Sequence, residues 1–72
     1  MTIYERIILL ASENGLTPTG LETKCGMTRG KMTQWKQGRQ RPGLDALICV
    51  ADFFNVSIDY LVGRTSKMEV NR

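Results

Sequence analysis

The sequence has no histidine, only two cysteines and two prolines, and a single tryptophan in 72 residues. Cys25 and Cys49 stand far apart and outside any CxxC spacing, so neither a zinc centre nor a disulfide framework is indicated, and both read as small buried hydrophobes. Paired carboxylates within the basic segment and a phosphate-cradling glycine loop are also missing. An enzyme is therefore not expected, and no metal or cofactor is implied. No apolar run approaches the roughly 20 residues of a membrane helix, and the N-terminus lacks the basic-then-apolar layout of a secretory signal. The cations do not share a helix with a large unburied apolar face, as binding to a membrane surface would require. A cytoplasmic protein with no membrane partner is the expectation.

Acidic residues are absent from one stretch in particular. Between Lys24 and Arg41 the chain carries Lys24, Arg29, Lys31, Lys36, Arg39 and Arg41 and no carboxylate, so this segment is +6 while the remainder is −3, within an overall +3. Interleaved charges would read as an ordinary solvated surface; this segregation favours a face turned toward a polyanion. Otherwise the composition is that of one small globular domain, with 42% hydrophobic residues to build a single core. A core of this size leaves a net stability of roughly 5 kcal/mol, to which a partner subunit can add.

Thr2 and Glu5 stand at capping-box spacing, and Ile3, Tyr4, Ile7, Ile8, Leu10 and Ala11 repeat at helical intervals until Asn14-Gly15, which predicts a first helix. Thr17 and Pro18 predict the cap and first turn of a short second helix over 18–25, weakened by Gly20 and stopped by Gly26. So short a turn forces a steep crossing into a third helix, capped by Thr28 and ending at Gly38. Met32 and Trp35 point inward there, Trp35 as a core anchor and not a stacking platform, while Arg29, Lys31, Thr33, Gln34 and Lys36 cover the remaining surface. After the basic loop 37–43, Leu44, Leu47, Ile48, Ala51 and Phe54 form the apolar stripe of a fourth helix that Asn55 ends. Ser57 caps a fifth helix in which Ile58 and Leu61 share a face, with Val62 near its end, and Gly63 closes it. The expected fold is all-α, a compact bundle of five short helices over residues 1–63, followed by a frayed tail over 64–72.

Five short helices with a Gly-x-Thr turn between the second and third resemble the Cro and lambda-repressor type helix-turn-helix family, also termed the xenobiotic response element family, of small bacterial or phage transcriptional regulators. The resemblance covers about residues 6–63. It rests on the gapless run Leu16 to Gly38, with Leu21, Gly26, Met27, Met32 and Trp35 at the family's core positions, on Arg41-Pro42, and on the segment from Ala51 to Gly63. The resemblance implies a sequence-specific regulator that places its recognition helix, about 28–37, in the major groove of double-stranded DNA.

By position the resemblance makes Arg29, Gly30, Lys31, Thr33 and Gln34 the base-reading residues. Arg29 suits a forked pair with guanine, and Gln34 suits adenine; Arg29 equally suits a phosphate, and Gln34 equally suits an ordinary exposed helix position. Thr28, Lys36, Arg39 and Arg41, with Lys31 again, suit phosphates, which fix register without reading sequence. A homodimer is expected because one short recognition helix makes few specific contacts, with Phe53, Val56, Tyr60 and Val62 as its candidate patch. Two positions depart from the family pattern. Pro18 stands where glutamine commonly bonds a phosphate and braces the third helix, and Gly30 removes a side chain where bases are often touched. These departures open a second reading, an antirepressor that keeps the fold and captures another phage or bacterial repressor through a surface around Pro18, Gly20 and Met27.

Overall fold

A computed structural model describes residues 2–67. Five helices follow in order: α1 (Ile3–Glu13), α2 (Pro18–Lys24), α3 (Lys31–Lys36), α4 (Leu44–Phe54) and α5 (Ile58–Leu61). Side chains chosen for the purpose start three of them. Thr2 Oγ1 accepts from Glu5 N at 3.1 Å while Thr2 N donates to Glu5 Oε1 at 2.8 Å, the reciprocal capping box. Thr17 Oγ1 accepts from Gly20 N at 3.0 Å, with Pro18 at the first helical position, and Ser57 Oγ accepts from Tyr60 N at 3.0 Å.

All five helices end alike. A left-handed residue follows each, Gly15, Gly26, Gly38, Asn55 or Gly63, and paired 6→1 and 5→2 backbone hydrogen bonds close the last turn in the Schellman arrangement. After α4, for example, Val56 N donates to Ala51 O at 2.9 Å and Asn55 N to Asp52 O at 3.3 Å. The motif turns the next residue back against the helix it has just left. Val56 is buried for this reason, and Leu16 and Met27, at the same place after α1 and α2, are half-buried against the core.

The core joins Ile7, Leu10 and Ala11 of α1 with Leu21, Met32, Trp35, Leu47, Val50, Ala51, Val56, Tyr60 and Leu61. Met32 and Trp35 point inward as their spacing predicts. The stripe expected on α4 is corrected. Leu44 is 65% exposed and Ile48 40%, whereas Val50 is fully buried. Positions 47, 50, 51 and 54 are themselves an i, i+3, i+4, i+7 set, so two overlapping stripes share Leu47, Ala51 and Phe54, and packing selects the one containing Val50. Leu44, the first helical residue after Gly43, lies short of the core.

The dimer patch is corrected as well. Val56 and Tyr60 are core residues, at 6% and 7% exposure, and Val62 is half-buried against the same cluster. Tyr60 turns inward from α5 and lies beneath the Arg6 guanidinium of α1, whose carbon stands 5.2 Å from the ring centroid. Phe53 is the member of that patch that remains exposed, edge-on to Phe54 with ring centroids 5.0 Å apart. Beyond Gly63, Arg64 N donates to Asp59 O at 2.8 Å and the chain can be followed to Lys67; the rest of the expected tail lies outside the described residues.

The rotation of α4 is tested by substitution. Leu44→Lys should shift stability by less than about 0.5 kcal/mol, whereas Val50→Asp should unfold the domain by burying an unpaired charge. Thermal melts followed by circular dichroism distinguish the two, and a folded Val50→Asp protein would show that α4 faces the other way.

Candidate nucleic-acid interface

α2 and α3 are joined by a turn in which Gly26 adopts φ +65°, a backbone region that side-chain-bearing residues rarely enter. Met27 N donates to Glu22 O at 2.8 Å and Gly26 N to Thr23 O at 3.3 Å, so the turn is fixed by the end of α2 itself. A second left-handed residue, Gly30 at φ +87°, stands as the N-cap of α3 and has no side chain with which to cap it. Thr28 does not cap α3: its carbonyl accepts from Lys31 N at 3.1 Å, closing one turn ahead of the helix. The third helix is accordingly shorter than the expected span of 28–37, and Arg29 lies in the preceding turn, not on the helix.

The missing cap comes from α2. Glu22 is 4% exposed, and its carboxylate accepts from Gly30 N at 3.2 Å through Oε1 and from Met32 N at 2.8 Å through Oε2. A buried carboxylate is costly unless its oxygens are satisfied, and here each oxygen takes an N–H from the first turn of α3, an unpaired donor at the positive end of that helix. The bond fixes the angle between the two helices and relieves the end of α3 at once. Sequence reasoning overlooked Glu22. The available signal is its position: a carboxylate in the last turn of a helix opposes the macrodipole, which suggests that it serves another element.

Around this brace the cations lie outward. Arg29, Lys36, Arg39 and Arg41 are exposed, as are Thr28 and Thr33, while Lys31 and Gln34 are half-buried. The basic loop is held against α3: Arg39 N and Gln40 N both donate to Gln34 O, at 3.0 and 3.4 Å, and Lys31 Nζ donates to Gln40 Oε1 at 2.9 Å. The expected residues Thr28, Arg29, Lys31, Thr33, Gln34, Lys36, Arg39 and Arg41 are therefore brought onto one helix, the turn before it and the loop after it. Gly30 belongs to the framework, since its N–H is committed to Glu22. Among the described residues the ion pair formed is Arg64 with Asp59, 4.0 Å apart, and no carboxylate neutralises the cations from Lys24 to Arg41.

The residues named for protein capture differ in exposure. Pro18 is exposed at the start of α2, Gly20 lies beside Thr17, and Met27 is half-buried against the core. Among the described residues no helix is long and apolar enough to cross a membrane.

Glu22→Ala should lower stability by about 1–3 kcal/mol in urea titrations, because it strands the buried Met32 N–H and the half-buried Gly30 N–H. Glu22→Gln, which keeps one acceptor oxygen, should lose less. A Glu22→Ala protein as stable as the parent would contradict the brace.

No protein-family model matches the chain. Among curated proteins it is similar to the HTH-type transcriptional activator BcrR of Enterococcus faecalis, at 29% identity over 62 residues. The alignment takes in 86% of this chain but 30% of the activator, so the chain spans under a third of that protein's length. Among solved structures it is similar to the P22 c2 repressor in the crystal structure with synthetic operator 9T, with a TM-score of 0.75, 21% identity, and coverage of 86% of this chain and 94% of that one. Five helices and no strand among the described residues, superposing on that repressor, give the chain an all-α helix-turn-helix fold.

Proposed function

We propose that the chain is the DNA-binding module of a transcriptional regulator, entering the major groove of duplex DNA with the outer face of α3. The observation that carries this reading is the un-neutralised cationic surface assembled around a helix whose first turn is held from behind by Glu22. A duplex presents a dense line of phosphates, and a compact cluster of lysines and arginines gains affinity by releasing its counterions. The similarity to a transcriptional activator and the fold shared with an operator-bound repressor support the same assignment.

Within this reading Lys31, Thr33 and Gln34 face base edges from α3, and Arg29 approaches the groove from the turn. Thr28, Lys36, Arg39 and Arg41 take phosphates and set the register. A second copy completes the site in a homodimer, since a six-residue α3 reads few base pairs alone. Its candidate contact is the exposed Phe53, together with the half-buried Val62. The capture of another repressor rests on two departures, the absence of a bracing side chain at Pro18 and of any side chain at Gly30, and the first is the one the structure bears on. Glu22 provides a brace from one turn further along α2, which weakens that motive.

Gel shifts on duplexes flanking the chain's own gene, repeated across salt concentrations, test the proposal. Binding should weaken steeply with salt, and Lys36→Ala or Arg39→Ala should each reduce the slope by about one unit. Arg29→Ala should cost about 1–3 kcal/mol on the preferred site and relax its specificity; an equal loss on every duplex would make Arg29 a phosphate contact. Absence of binding at low salt, with capture of a repressor instead, would favour the antirepressor reading.

A further inference from the structure

Cys25 and Cys49 are 24 residues apart in sequence, yet the Cys49 thiol donates to the carbonyl oxygen of Cys25 at 3.3 Å. Cys25 is the C-cap of α2, at the start of the turn that leads to α3, and Cys49 lies in the middle of α4. Both are free thiols and both are half-buried, so they are positioned by helical backbone and remain within reach of a small solute. We propose that these two cysteines form one oxidation site, at which a peroxide converts the dithiol to an intramolecular disulfide joining the end of α2 to α4.

The chemistry assigns different parts to the two sulfurs. Burial, joined by the hydrogen bond and charge of the adjacent Cys49 sulfur, pushes the Cys25 thiol up to about 12. Cys25 is held in its thiol form at neutral pH, and the attacking sulfur is assigned to Cys49. Its sulfur bonds to one peroxide oxygen as the O–O bond breaks, giving a sulfenic acid and a hydroxide that takes up a proton to become water. The Cys25 sulfur then bonds to the Cys49 sulfur, its proton passes to the departing hydroxyl, and a second water leaves. Two thiols are oxidised by two electrons in all, and one peroxide is reduced to two waters. The ring so closed encloses α3 and the basic loop, and this proposal does not depend on what those elements bind.

The test is to expose the purified full chain to hydrogen peroxide without denaturant and to measure intact mass, a tryptic map and thermal unfolding. A monomer lighter by about 2 Da for two lost hydrogens is expected, with a cross-linked peptide pair joining Cys25 to Cys49 and full reversal by dithiothreitol. The thermal midpoint should rise by roughly 10–20 °C, since closing a loop of this length removes many unfolded conformations. Cys25→Ser and Cys49→Ser should each abolish the mass loss and the thermal shift. The proposal is overturned if the linked pair is absent from the map of the oxidised parent chain, a readout that needs no variant to fold. It is equally overturned if covalent dimers or sulfinic acids form in place of the internal bond.

Discussion

The bond from the Glu22 carboxylate to the first turn of α3 is the constraint on which the working surface depends. A charge buried this deeply in a small domain would be destabilising without partners, and its partners are the Gly30 and Met32 N–H groups that α3 leaves unpaired. One contact therefore meets two needs, and it couples α2 and α3 as a rigid pair. It also decides the electrostatics. Glu22 is the carboxylate nearest in sequence to the basic segment, and it turns inward onto backbone, so that among the described residues no ion pair holds the lysines and arginines outside.

The rest of the architecture keeps that surface in place with little material. Each helix is ended by a left-handed residue and a Schellman closure, and the residue that follows is pressed toward the core at Leu16, Met27 and Val56. After α3 the same closure delivers Arg39, which stays exposed, so one backbone device serves both packing and presentation of charge. The inner side of α3 is anchored by Met32 and Trp35, which leaves Thr33 and Lys36 exposed on the other.

Local signals in the sequence were legible where a side chain acts on backbone within its own turn. Thr2 with Glu5, Thr17 with Pro18, Ser57, and the left-handed stops at Gly26, Asn55 and Gly63 all act over three or four residues, and the structure carries each of them. What could not be read depends on tertiary packing. The rotation of α4 was hidden because the stripes through Ile48 and through Val50 share the same helical period. Thr28 was expected to cap α3 because nothing near it in sequence shows that Glu22, eight and ten residues before its two partners, supplies that bond. Val56 and Tyr60 looked available for a partner until the turn at Asn55 and the fold of α5 onto α1 placed them inside. Cys25 and Cys49, read as independent, meet for the same reason. The charge segregation needed no packing at all to be seen, because it lies in one contiguous run.

Titration of the isotope-labelled protein with a duplex from beside its own gene, followed amide by amide in NMR spectra, tests the central claim most directly. The account predicts that the large shifts fall on Thr28 to Arg41, while the exposed side of α4 at Leu44 and Ile48 stays largely unmoved. Shifts centred on Leu44 and Ile48, with Thr33 and Lys36 unaffected, would contradict it.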